Sequence, residues 1–163
     1  MYIIEDTAQK KGKHELKNQW WAENGISISR CHLPFGDYCL PPKVAIDTKA
    51  DMSEIAGNMC GTTKEHIRFR EECKKAQAHG CTLVFLIENE DGISSIDDVE
   101  RWLNPRRFVS EKAVTGERLA KTMRTMSDRY GCRFMFCSPE ESAQKIKEIL
   151  EQGAEHYGNN TND

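Results

Sequence analysis

Apolar and polar positions along this chain repeat with two different periods, and the switches between them mark out the elements. Residues 26–33, ISISRCHL, alternate at every second position, as a strand with one buried face does. Residues 81–89, CTLVFLIEN, and 132–137, CRFMFC, are nearly unbroken apolar runs, which predict strands covered on both faces. Residues 2–6, YIIED, predict a short buried strand ending in acids. Between 115 and 130 the period lengthens: Leu119, Met123, Met126 and Tyr130 share one helical stripe, either core or a dimer surface.

Cap and stop signals supply the remaining helices. Residues 13–24, KHELKNQWWAEN, predict a helix that stops at Asn24-Gly25; Trp20 and Trp21 are adjacent and cannot share a face, so one of them is core. Ser53 begins a short helix to Met59, and Thr62 or Thr63 caps another that reaches His79-Gly80. In that longer helix Ile67, Phe69, Cys73 and Ala76 are loosely spaced for one buried stripe. Ser95 caps a helix near SIDDVERWL, and a loop follows around NPRRFVSEKAV. Ser138 caps the last helix, with Pro139 at its first position and glutamates in its first turn. The order predicts one α/β domain over residues 1–151, with a central mixed sheet of about five to six strands flanked by helices, and an unstructured tail over 152–163.

One stretch breaks its own pattern. Residues 33–59 read as two strands joined by the double-proline turn Leu40–Lys43, yet Asp37, Asp47 and Lys49 interrupt the apolar alternation. With that turn, residues whose numbers sum to about 84 lie opposite each other, so Asp37 faces Asp47 across roughly 4.5–5.5 Å between α-carbons. Like charges there are unfavourable unless compensated, and a hard divalent cation such as Mg²⁺ or Mn²⁺ is the natural compensation. Lys49 lies two residues beyond Asp47 and leaves the same face, where an ammonium can orient a metal-bound water. That is a plan for metal-assisted phosphodiester hydrolysis. The competing reading is an edge hairpin whose charges simply face water.

Composition narrows the partners. Hydrophobic residues make up 38% of the 163 and charged residues 30%, with a net charge of −3, so an anionic partner must be held by local basic clusters. The first residues lack a signal-peptide pattern, and no apolar run approaches the ~20 residues that span a bilayer. The seven cysteines include no CxxC pair, which predicts reduced thiols in a cytoplasmic protein and no zinc site. Lys11, Lys13 and His14, beside the strand carrying Asp6, are candidate phosphate contacts against the reading of a solvated turn. So is Arg68, on a helix where Arg70, Lys74 and Lys75 alternate with Glu71 and Glu72 in a pattern suited to i,i+4 pairing. Arg106, Arg107, Arg118, Lys121 and Arg124 are further candidates.

Gly36-Asp37-Tyr38 followed by Asp47-Thr48-Lys49 resembles the nuclease domain of XPF-type structure-specific endonucleases, in the PD-(D/E)XK, restriction-endonuclease-like superfamily. The resemblance runs in order through IIEDT, with Asp6 at the Asp of a D-x-R-E motif, SEIAGNM and LVFLIEN; the DT…QKGKH-like start and D-T-K triplet resemble small standalone phage and prophage members. It implies a restriction-endonuclease-like fold and a Mg²⁺-dependent endonuclease, with Mn²⁺ as the other candidate ion. Asp37 and Asp47 would be metal ligands, Lys49 would position the water, and Asp6 would complete the acidic cluster. Branched or flapped DNA and a homodimer are the implied partners. Departures are Asp47 for Glu, Thr48 for Arg, Ala8 and Gln9 for the motif's Arg and Glu, and Ser53, beside Glu54, at the place of the last acid. Those departures motivate an alternative: a catalytically weakened nuclease fold serving as a DNA-binding or protein-interaction module. A sequence-specific defence nuclease is a third reading.

Overall fold

The computed structural model describes residues 2–10, 14–40 and 44–158. Six strands form one sheet: β1 (Tyr2–Asp6), β2 (Ser27–Cys31), β3 (Tyr38–Leu40), β4 (Val44–Lys49), β5 (Thr82–Glu88) and β6 (Arg133–Cys137), in the order β2-β1-β3-β4-β5-β6. β1 pairs parallel with β2, and β4, β5 and β6 pair parallel in sequence; β3 alone runs against both of its neighbours. The β3–β4 register pairs Tyr38 with Ile46, Cys39 with Ala45 and Leu40 with Val44, the sum of 84 predicted from the turn. The turn residues 41–43 lie outside the described residues.

Helices cover both faces. α1 (Glu15–Glu23) and α6 (Ser142–Gly158) bury one face of the sheet, where Trp21, Tyr38, Ile46, Val84, Leu86 and Ile146 pack together. Trp21 is thus the core tryptophan of its pair; its ring meets Tyr38 edge-on at 5.2 Å, and Trp20 is half-buried. α2 (Met52–Cys60), α3 (Thr63–Ala78), the single turn α4 (Ile96–Val99) and α5 (Gly116–Tyr130) cover the other face. Leu119, Met123 and Met126 are buried there, so the stripe of α5 is core. In α3, Phe69, Cys73 and Ala76 form the buried stripe, while Ile67 is exposed. Two-sided cover explains why β5 reads as continuously apolar: five of its positions are buried.

Three ends, belonging to two helices, differ from the sequence expectation. α2 is capped by Asp51 and not begun by Ser53: Asp51 Oδ1 accepts from Glu54 N at 2.7 Å, and Glu54 Oε2 accepts from Ala50 N at 2.8 Å. α6 starts at Ser142, after a turn that follows Ser138, in which Glu141 N donates to Ser138 O at 3.2 Å and the Glu141 carboxylate accepts from Ser138 N and Oγ. The same helix continues to Gly158, past residue 151, where a tail was expected to begin. Thr62 and Glu65 make the capping box of α3, and Ser95 caps α4 as predicted. All seven cysteines are unbridged, and no helix among the described residues is long and apolar enough to cross a membrane.

Candidate active site

The parallel strands end at one edge of the sheet, and β3, running the other way, begins there. That brings the residue before β3 to the ends of β4 and β5. Asp37 follows Gly36, whose φ of +72° is a conformation glycine adopts without penalty. A Cβ at Gly36 would lie 3.2 Å from both Ala45 Cβ and Ile46 O, so the turn presses closely on β4. The Asp37 backbone is tied on both sides: its N–H donates to Ile46 O at 2.6 Å, and its carbonyl accepts from Asp6 N at 2.7 Å. Its Oδ2 accepts from both Thr48 N and Thr48 Oγ1, each at 2.8 Å.

Asp47 and Lys49 project from β4 toward α2 and α3, on the face that Ala45 also uses, and both are buried. Lys49 Nζ lies 2.5 Å from Asp47 Oδ1 and 5.9 Å from the centre of the Phe85 ring. The Asp47 oxygen receives no well-directed hydrogen bond, so the ammonium is its near neighbour without being an aligned donor. Burial pushes the Asp47 carboxyl well above its ordinary range; Lys49 opposes the shift, and the Asp37 and Glu72 carboxylates add to it. A buried acid with other acids close by is a site short of positive charge.

These side chains line one polar cleft of about 240 Å³. Asp37, Asp47, Thr48 and Lys49 form its floor, with His14 from the start of α1 and Arg68 from α3 at its walls. Three of the four residues expected to be catalytic, Asp37, Asp47 and Lys49 but not Asp6, and two of the expected phosphate contacts therefore lie in one place. Arg68 is exposed and makes no side-chain hydrogen bond or ion pair among the described residues, while His14 Nε2 lies 2.8 Å from Gln9 Oε1. Lys11 and Lys13 lie outside the described residues. Asp6 does not line the cleft: its Oδ1 accepts from Leu33 N at 3.0 Å and lies 3.4 Å from His32 Nδ1, holding the chain between β2 and β3. Arg107 is also elsewhere, its guanidinium donating to the carbonyls of Glu111 and Ala113. Arg124 is engaged by Asp97 and Glu100, and Lys74 pairs with Glu71 at i,i+3 spacing.

Four contributors were not anticipated. Glu72 on α3 accepts from Gly36 N at 2.9 Å, clamping the turn that carries Asp37. Lys17, buried, and Glu88, half-buried, line the cleft and form an ion pair, and Ser142 Oγ donates to the same Glu88 oxygen at 2.6 Å. An acid closing an apolar strand and a lysine on a tryptophan-bearing helix are the only traces of that pair in the sequence. Among the described residues no group of three or more His, Cys, Asp or Glu forms a ready metal cage. Two carboxylates do suit Mg²⁺, which retains several waters and takes one or two protein carboxylates. Asp47 Oδ1, which has no aligned donor among the described residues, and Asp37 Oδ1, which accepts no hydrogen bond among them, are the atoms that would meet it.

No protein-family model matches the chain, and no curated protein does. Among solved structures it is similar to XPF from Aeropyrum pernix, with a TM-score of 0.64 and 17% identity, over 94% of this chain and 65% of that one. It is equally similar to XPF from Aeropyrum pernix in complex with DNA, with a TM-score of 0.65 at 17% identity and the same coverage. The chain thus spans somewhat less than two thirds of the length of each. At that identity the likeness is one of architecture: the six-stranded mixed sheet with helices on both faces is the restriction-endonuclease-like α/β fold found in XPF.

Proposed function

We propose that the protein is a metal-dependent DNA endonuclease that hydrolyses phosphodiester bonds in flap, fork or junction DNA, in phage or prophage DNA processing, repair or recombination. The observation that carries the reading is the meeting of Asp37, Asp47 and Lys49 with His14 and Arg68 in a single open polar cleft. A neighbour in fold that has been captured with DNA supports DNA as the substrate.

Asp37 and Asp47 would hold Mg²⁺ or Mn²⁺. A bound divalent ion lowers the pKa of a water and draws charge from a phosphoryl oxygen. The residues supply the rest. Thr48 fixes the orientation of Asp37 through two hydrogen bonds to one oxygen. Lys49 keeps a positive charge at the Asp47 carboxylate, where its ammonium orients the attacking water. Arg68 and His14 hold the phosphates on either side of the scissile bond. Asp6 supports the cluster indirectly, through the chain that its carboxylate anchors.

Cleavage of labelled flap and four-way-junction DNA with Mg²⁺ or Mn²⁺ tests the reading. Wild type is expected to cut, and Asp37→Asn and Lys49→Ala to lose cutting while keeping the fold. Equal traces of product from wild type and both variants overturn the catalytic assignment. A binding module on the same fold is the second reading, favoured by Ala8 and Gln9 in place of a motif's Arg and Glu and by the engagement of Thr48 with Asp37. Junction binding without cleavage in any divalent metal selects it. The proposal includes a homodimer, supported by the exposed Leu103 and Phe108, which border one apolar depression of about 580 Å³. Light scattering of wild type and Leu103→Asp/Phe108→Asp tests that element.

A further inference from the structure

We propose that a second groove, on the other flank of α2 from the catalytic cleft, is a phosphate-backbone track that holds a further arm of the same nucleic acid. This rests on the reading of the protein as DNA-acting. The groove has a volume of about 320 Å³ and runs between α2 and the segment from Asn104 to Val114. Its α2 wall is made of small residues, and a Cβ added at Gly57 would meet nothing within 4 Å, so a bulky backbone can come close. Glu54 lines the catalytic cleft and the preceding Ser53 lines the groove, so the first turn of α2 is the partition between them.

What makes the groove more than a smooth surface is the charge opposite that wall. Arg106 and Lys112 line it, both exposed, and neither makes an ion pair or a side-chain hydrogen bond among the described residues. Their neighbours are engaged: Arg107 by two carbonyls, Arg101 by Asp98, and Arg124 by Asp97 and Glu100. The segment that carries them is built in advance. Asn104, 4% exposed, accepts from Arg106 N at 3.0 Å and donates to Val114 O at 2.8 Å, closing the loop at both ends. A loop backbone closed in advance does not have to be ordered on binding, which favours affinity.

The ligand class follows from the chemistry. Two exposed cations on a closed loop and the hydroxyl-bearing Ser53 and Ser110 suit phosphate oxygens, and no aromatic side chain among the described residues lines the groove to stack on a base. Continuity with the cleft points to the same molecule. Glu65, at the first turn of α3, has its carboxyl lowered first by the Thr62 cap and then by Arg106 and Arg68. Arg68 of the cleft and Arg106 of the groove therefore act electrostatically on one side chain. With a net charge of −3 there is no bulk attraction for DNA, and such a local track is how an anionic partner is held.

The test is a salt titration of junction-DNA binding by the full chain, without divalent metal, for wild type and Arg106→Ala/Lys112→Ala. Each phosphate contact contributes about 0.9 to the slope of log K against log salt, so losing two makes the slope shallower by about 2. Lys145→Ala/Lys147→Ala, on α6 across the sheet, removes the same charge and is expected to leave the slope unchanged. An unchanged slope in Arg106→Ala/Lys112→Ala, or an equal loss in the α6 variant, overturns the track and leaves the nuclease reading standing. Wild type that binds no DNA overturns both. A further arm adds inorganic phosphate at constant ionic strength. Wild-type binding that phosphate abolishes at millimolar concentration marks a small-anion site and overturns the track; persistence supports it.

Discussion

The clearest perturbation is Thr48→Val. Thr48 donates twice to one oxygen of Asp37, from its backbone and from its hydroxyl, both at 2.8 Å. Valine keeps the shape and the backbone bond and deletes only the hydroxyl. A hydrogen bond to a charged group contributes roughly 1.5–3 kcal/mol. Both residues are half-buried, so water replaces part of what is lost, and about 1–2 kcal/mol is expected. If that energy orients Asp37 for the reaction, the variant loses about 5–30-fold in kcat/KM.

The assay is single-turnover cleavage of a labelled flap with Mg²⁺, alongside DNA binding in its absence. Cleavage should fall while metal-free binding stays unchanged, because the hydroxyl faces Asp37 and not the phosphates. Thr48→Ser retains the donor and is expected to restore most of the rate. Cleavage by the valine variant within about twofold of wild type, well below the magnitude worked above, would refute the positioning role of Thr48.

Three further outcomes follow from single sites. Gly36→Ala places a side chain at φ +72° against Ala45 and Ile46, so it should cost about 1–2 kcal/mol in urea unfolding and misplace Asp37; a wild-type midpoint would contradict this. Lys17→Met strands the mostly buried Glu88 and should cost about 3–5 kcal/mol, with Lys17→Met/Glu88→Leu recovering much of it; a single variant as stable as wild type would show that the pair is not buried. Asp98 is held down to about 2 by the hydroxyls of Ser94 and Ser95, the Ser94 N–H and Arg101. Its folded pKa is depressed, so its contribution is present above pH ~4 and is lost as pH falls toward 2. Thermal melts of Asp98→Ala should therefore be flatter than wild type across that acid window, and parallel curves would count against the cap.

Local chemistry wrote much of this fold legibly and some of it not at all. The Pro-Pro turn fixed a register because hairpin pairing is a matter of counting, and the pairs 38–46, 39–45 and 40–44 follow from it. Cap positions were harder, since Asp51 and Ser53 are both capping types two residues apart; the reciprocal bond from Ala50 N to Glu54 decides between them. At Ser138 the cap signal is followed by a turn, closed by Glu141, before α6 begins. Asp6 has the parity to face the cleft, but the carboxylate is engaged by Leu33, reached through a connection that no periodicity describes. Glu72 is hidden for the same reason. It lies in a charged run, on the flank of the stripe Phe69, Cys73, Ala76, and its partner is Gly36, 36 residues earlier.

The position of the candidate site follows from the one reversed strand. In a parallel sheet the residues at strand ends are C-terminal ones, here Asp6, Lys49 and Glu88, and clefts open at that edge. β3 is antiparallel, so it delivers its first residues to the same edge, and Asp37 arrives beside the end of β4. Two carboxylates ten residues apart are thereby brought to one open cleft at that edge. Strands resist such residues because burial penalises their charge, as the raised pKa of Asp47 records. The penalty is offset by Lys49 on the same face and by Thr48 against Asp37. Thr48 holds an acid where an arginine would offer a charge to DNA. The charge missing at that position has counterparts in Arg68 within the cleft and in Arg106 and Lys112 beyond α2, exposed cations without partners among the described residues. On the proposed nuclease reading, phosphate contacts placed off β4 leave that strand to position its acids.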